Sequence, residues 1–147
     1  MTTTPQPPSQ PCPVIHFEMP YHDAERAMRF YQQAFGWQVQ ALGPQMGDYI
    51  VATTATADTS APGAMRGAIG GGLFPYRPEM PIQHPSVVIG VDDLTATRAR
   101  VLAAGGQLLG EPMAIPGVGD YQSFVDTEGN RHSLLQAQPA GDGPAQE

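Results

Sequence analysis

The chain has little positive charge, one cysteine and no long apolar run, and each shortage excludes a class of protein. Seven Lys and Arg stand against fourteen Asp and Glu, giving a net charge of −7. Without a basic stripe, neither nucleic acid nor an anionic membrane surface is an expected partner. The lone Cys12 excludes a disulfide framework and a cysteine metal cluster. Because the chain also lacks a membrane span and a signal-peptide pattern, we expect a cytoplasmic protein.

What the chain does contain is a loose internal repeat. The motif Gly-Asp-Tyr occurs twice, ending at Tyr49 and again at Tyr121. Two similar halves indicate a pseudo-twofold fold with a cleft between the halves. Further pairs lie seventy positions apart: His22 with Asp92, Asp23 with Asp93, Ala34 with Ala104, and Gly36 with Gly106.

Each half is predicted to form a βαβββ unit. Asp23 is placed to cap the first helix and Gly36 to end it, and Asp92 or Asp93 caps the second helix. Apolar residues at helical spacing and alternating strand patterns support the remaining elements. The predicted elements are a strand at 14–19, a helix at 24–35, strands at 37–42, 49–53 and 68–76, then a strand at 86–91, a helix at 94–104, and strands at 107–111, 120–126 and 131–137.

These elements predict an α+β fold, in which two βαβββ modules form a half-open mixed β-sheet barrel around a cleft, with the helices outside. The tails are rich in Pro, Thr, Gln and Gly, and we expect them to be disordered. The expected segments are an N-terminal tail at 1–12, a first module at 13–76, a linker at 77–83, a second module at 84–137 and a C-terminal tail at 138–147.

The order and spacing of several short motifs resemble the vicinal oxygen chelate superfamily, which includes glyoxalase I, bleomycin-resistance proteins, fosfomycin-resistance enzymes and extradiol dioxygenases. The resemblance covers about residues 14–137 and is nearest to a glyoxalase-like subgroup of unknown function. It implies the fold, but this fold carries many chemistries. The motifs are His16-Phe17-Glu18-Met19-Pro20, Asp23-Ala24-Glu25-Arg26-Ala27, Phe30-Tyr31, Phe35-Gly36-Trp37, Val91-Asp92-Asp93-Leu94, Ala103-Ala104-Gly105-Gly106 and Asp126-Thr127-Glu128-Gly129-Asn130.

The resemblance also implies four metal-ligand positions, and only one of them keeps its ligand. His16 matches the first-strand histidine, while the fourth strand offers no carboxylate or amide over 68–72. The fifth- and eighth-strand positions fall on Ser86 and Ser133, and serine is a poor ligand for a divalent transition ion. We therefore expect no metal cofactor. The alternative is a divalent metal at a non-standard site formed by His16, Glu18 and His84.

The candidate catalytic residues are His16 and Glu18, which share one face of the first strand by alternation. A histidine titrates near neutral pH, and Glu18 is either a general base or the partner of Arg26 or Arg29 in a salt bridge. The glycine run at 70–72 indicates a bulge or a close approach of the backbone to a ligand or to the other half. The candidate ligand-binding residues are Trp37, Tyr49, Ser86, Tyr121, Phe124 and Ser133, whose aromatic members also suit a core.

The leading hypothesis is a protein with a small-molecule pocket that lacks the usual metal site and binds or sequesters an organic ligand. The alternative is a lyase, isomerase or dioxygenase-type enzyme. It would use either a divalent metal at a non-standard site or His16 and Glu18 as a metal-free base. A single pair of modules leaves strand edges that a second copy can cover, so we expect a homodimer.

Overall fold

The computed structural model describes residues 6–55 and 67–138. The predicted C-terminal tail lies outside these residues except for Gln138, as do residues 1–5 of the predicted N-terminal tail. The chain divides into two compact units, which are described separately. The first unit is Ile15–Ser86, and the second unit combines Met1–Val14 with Val87–Glu147.

The first unit is a βαβββ module with a mixed sheet. Its strand order is β2-β3-β4-β1, in which β1 and β4 are parallel and the other neighbours are antiparallel. A short 3₁₀ turn, Pro44–Met46, separates the second and third strands. The elements are β1 (Val14–Tyr21), α1 (Ala24–Phe35), β2 (Gln38–Ala41), β3 (Ile50–Thr53) and β4 (Gly71–Pro75).

The second unit repeats this topology. Its strand order is β5-β8-β7-β6, with β5 and β8 parallel and the other neighbours antiparallel. The prediction of an α+β fold made of two βαβββ modules is therefore confirmed. The elements are β5 (Ser86–Gly90), α2 (Leu94–Ala103), β6 (Gln107–Ile115), β7 (Gly119–Val125) and β8 (Arg131–Ala137).

Both helices begin at an aspartate, as the sequence predicts. The Asp23 carboxylate accepts a hydrogen bond from the backbone N–H of Arg26, and Asp93 accepts one from the N–H of Ala96, each at 3.0 Å. These bonds satisfy N–H groups that have no partner within the helix. Gly36 ends α1 in the left-handed conformation, with φ of 70°. Neither described helix is long and apolar enough to cross a membrane.

The core of the first unit decides which way the side chains of β1 point. Ile50, Ala52 and Leu73 are buried, and Phe17 and Met19 pack against them. The apolar side chains of α1 pack against the same cluster. Side chains alternate along a strand, so His16 and Glu18 point to the face of the sheet that lies away from α1. We call this the open face.

The core of the second unit lies on the α2 side of its sheet. Its buried members are Val91, Leu94, Phe124 and Leu134, and Cys12 packs against them. The carbonyl of Pro13 accepts a hydrogen bond from the N–H of Gly90 at 2.8 Å. Cys12, the last residue of the predicted N-terminal tail, is thus held by packing, and Pro13, which follows it, is held by a backbone hydrogen bond.

Candidate functional site

A polar cluster lies on the open face of the first unit, and three side chains form it. The Tyr49 hydroxyl donates a hydrogen bond to Glu18 Oε2 at 2.9 Å. The same hydroxyl oxygen lies 3.0 Å from His16 Nε2. A phenol therefore bridges the two residues that the sequence marks as candidate acid–base groups. We call His16, Glu18 and Tyr49 the bridged cluster.

The strand register places the bridged cluster. Gly72 on β4 pairs with Glu18 on one side and with Val51 on the other. Tyr49 directly precedes β3 and shares the parity of Val51, so its side chain is directed to the open face. Its ring can then reach across β4 to the first strand only if the β4 position between them carries no bulk.

Gly72 supplies that space. A Cβ built at Gly72 would overlap the hydroxyl and ring of Tyr49. The neighbouring Gly71 faces the other way, where a Cβ would lie 2.5 Å from the Phe17 ring. The glycine run thus brings the backbone close to side chains of its own unit. A close approach to a ligand or to the other half stays a prediction.

The second unit contains the counterpart of this arrangement. Ser133 on β8 pairs with Val88 and Ser123, as Gly72 on β4 pairs with Glu18 and Val51. The Tyr121 hydroxyl lies 2.5 Å from Ser133 Oγ. In each unit a tyrosine hydroxyl therefore contacts a side chain on one of the two parallel strands: Glu18 on β1 in the first unit and Ser133 on β8 in the second. In the first unit this hydroxyl links two ionisable side chains, His16 and Glu18.

Burial favours the neutral form of His16. The half-buried position of His16 lowers the pKa of its imidazole, because burial disfavours the charged form. The negative charge of Glu18 acts in the opposite direction and offsets part of this effect. The pKa remains below its ordinary value of 6.5, so His16 is a neutral imidazole at neutral pH.

The lowered pKa of His16 predicts a pH dependence of stability. The unfolded chain binds a proton at His16 more readily than the folded chain does, so the free energy of unfolding should decrease as the pH falls through 6.5. The free energy of unfolding should stop decreasing once the pH is below the pKa of His16 in the folded state. Urea denaturation at a series of pH values around 6.5 should show this decrease in the free energy of unfolding in the wild type and in a His22→Gln control. In His16→Gln it should be absent, and an unchanged pH profile for that variant would contradict the assignment.

The described residues do not fit the metal site that the resemblance implies. Within 6–55 and 67–138, no group of three or more His, Cys, Asp or Glu side chains is placed to hold an ion. His84 is exposed and its Nδ1 lies 3.1 Å from the Pro85 carbonyl. The described residues do not bring His16, Glu18 and His84 together as a group that could hold an ion. His16 Nε2 and Glu18 Oε2 instead contact the Tyr49 hydroxyl.

Two of the other candidate ligand-binding residues pack on the helix side of their own unit. Trp37 stacks on Tyr31 of α1, with ring centroids 4.7 Å apart, and Phe124 lies in the core beside α2. These two side chains have the packing role that the sequence also allowed. Ser86 is half-buried at the first position of β5. Sequence reasoning named Tyr49 but missed the bridge; a tyrosine before a strand that pairs with a glycine-rich strand was the available signal.

Comparisons with known proteins agree with this fold. A family model described as bleomycin resistance protein-like N-terminal matches residues 14–55. A methylmalonyl-CoA epimerase from Mycobacterium tuberculosis superposes with a TM-score of 0.61 at 17% identity, covering 86% of this chain and 88% of that chain. The hypothetical protein BH1468 from Bacillus halodurans superposes with a TM-score of 0.62 at 14% identity, covering 88% and 97%. At these identities the likeness shows the fold, which is that of the vicinal oxygen chelate superfamily.

Sequence relatives place the chain within that superfamily. A glyoxylase-like domain-containing protein from Didymella fabae is 36% identical over 118 residues, which span 80% of this chain and 88% of the relative. A putative glyoxylase, CFP32, from Mycobacterium bovis is 41% identical over 71 residues, or 48% of this chain. That second match spans only 27% of the mycobacterial protein. The chain belongs to the glyoxalase-like family.

Proposed function

We propose that this protein binds a small organic ligand on the open face of the first unit, without a metal ion. The observation that carries the proposal is the hydrogen-bonded bridge from His16 through Tyr49 to Glu18. Ligand sites combine a mostly apolar or small lining with a few polar groups that fix orientation. The open face has this composition, because Gly72 and Val51 lie beside the bridged cluster.

The bridge supports ligand binding because it prearranges polar atoms. Each member is held by another member of the cluster, so little side-chain freedom is left to lose when a ligand arrives. A half-buried imidazole is also a stronger hydrogen-bonding group than one in bulk water. The absence of a metal is supported by the described residues, among which no three or more His, Cys, Asp or Glu side chains are placed to hold a substrate-chelating ion.

The experiment is a ligand screen on chelator-treated protein. Neutral organic molecules of one to two rings are added at increasing concentration while the unfolding temperature is followed, because a ligand that binds only the folded state raises it. The proposal predicts concentration-dependent stabilisation that His16→Ala abolishes and that His22→Ala leaves unchanged. Stabilisation that disappears on chelation, or that survives His16→Ala, would contradict it.

A second candidate function is metal-free proton transfer on the bound ligand. It is favoured by the same distances, since the Tyr49 hydroxyl lies 3.0 Å from the His16 imidazole and 2.9 Å from the Glu18 carboxylate, and all three groups can carry a proton. Exchange of an acidic C–H of the bound ligand with deuterium from solvent, followed by proton NMR, would reveal it. Ligand that binds without any exchange supports binding alone.

A further inference from the structure

The bridged cluster assigns the position of the proton on His16. The Tyr49 hydroxyl has one proton, and it donates that proton to Glu18 Oε2. The contact between the phenol oxygen and His16 Nε2 therefore needs its proton from the imidazole. A neutral imidazole carries one N–H, so Nδ1 has a free lone pair.

We infer that His16 Nδ1 is the hydrogen-bond acceptor of the site, and that its ligands present an O–H or N–H group there. Among the described residues no side chain or backbone group is bonded to Nδ1. His16 is only half-buried, and among the described residues its Nδ1 is not one of the buried side-chain atoms without a partner. The inference rests on the proposed function for the identity of the site, but the proton position does not depend on any ligand.

Glu18 and Tyr49 are positioning residues in this scheme. The carboxylate orients the Tyr49 hydroxyl, and the hydroxyl in turn holds the Nε2–H tautomer of His16. If Glu18 could not accept, the hydroxyl would turn and donate to Nε2, and the imidazole proton would move to Nδ1. The site would then present a donor and would favour ligands with a carbonyl or ether oxygen instead.

The proton position can be measured directly by ¹⁵N NMR of histidine-labelled protein at about pH 8, where imidazole is neutral. The His16 signals are assigned by their loss in His16→Gln. The wild type should show a protonated Nε2 and an unprotonated Nδ1. Glu18→Met should reverse this pattern, while Glu18→Gln, which keeps an amide oxygen as acceptor, should retain it. A wild-type protein with its proton on Nδ1 would overturn the inference, as would an unchanged tautomer in a folded Glu18→Met variant.

The ligand class is tested with matched pairs of one alcohol or phenol and its methyl ether. The wild type should bind the hydroxyl form more tightly by about 5- to 100-fold, since the ether leaves Nδ1 without a donor. Glu18→Met should reduce or invert that ratio. Equal affinity for both members in the wild type would refute the ligand class. If no member of any pair binds while the tautomer is as expected, the proposed function fails, and with it the ligand class.

Discussion

Replacing Gly72 with alanine is expected to lower the free energy of unfolding by about 2 to 4 kcal/mol. The new Cβ would occupy the space of the Tyr49 hydroxyl and ring. Tyr49 must then move off β4, which breaks its contacts with His16 and Glu18. Gly72 does not have a positive φ, so the loss would come from the overlap and not from backbone strain. Urea denaturation measures the change.

A double-mutant cycle isolates the cause. In a Tyr49→Ala background the ring is gone, and Gly72→Ala should then change the stability by less than about 1 kcal/mol. Gly70→Ala is the comparison variant: its Cβ would lie 3.1 Å from the Ala52 carbonyl oxygen, a tight contact without overlap, so it should cost less stability than Gly72→Ala. Effects of Gly72→Ala and Tyr49→Ala that simply add would show that Tyr49 does not lie across β4.

Replacing Tyr49 with phenylalanine is expected to weaken ligand binding by about 10- to 100-fold while the fold is kept. The ring still packs over Gly72, but the bridge loses the one hydroxyl that joins His16 to Glu18. The imidazole then turns more freely, and its Nε2 loses a partner that it has in the wild type. Titration calorimetry with a ligand found in the screen measures the loss, and circular dichroism checks the fold.

The control for this variant makes the same chemical change on the other face of the sheet. The Tyr31 hydroxyl donates a weak hydrogen bond to Met19 Sδ at 3.5 Å, on the helix side. Tyr31→Phe should therefore leave ligand affinity within about twofold of the wild type. Equal losses in Tyr31→Phe and Tyr49→Phe would place the ligand away from the bridged cluster.

The sequence predicts the local elements well because their signals are local. Asp23 and Gly36 mark the ends of α1, and alternation alone places His16 and Glu18 on one face of β1. The bridge depends instead on a register between distant strands, with Val51 opposite Gly72 and Gly72 opposite Glu18. No spacing along the chain fixes that register, so the third member of the cluster could be named only as one aromatic candidate among several.

Two further differences between the sequence-based predictions and the structure also depend on contacts between elements that are distant along the chain. Strand alternation does not reveal which face a helix will cover, and so Trp37 and Phe124 remained ambiguous until the packing of α1 and α2 was known. The strand predicted at 107–111 continues to Ile115 because the ladder resumes after an irregularity. There the buried amide of Gln122 donates to the carbonyls of Leu109 and Gly110.

We propose that the open face of the first unit binds its ligand through the bridged cluster and not through a metal ion. The most direct measurement is the unfolding temperature of wild type and His16→Ala, each titrated with Ni²⁺, Zn²⁺, Mn²⁺ and Fe²⁺ after metal removal. No saturable stabilisation that depends on His16 is expected with these ions, and a ligand-induced shift of the unfolding temperature should persist in chelator. A concentration-dependent shift with any of these ions that His16→Ala abolishes would contradict it.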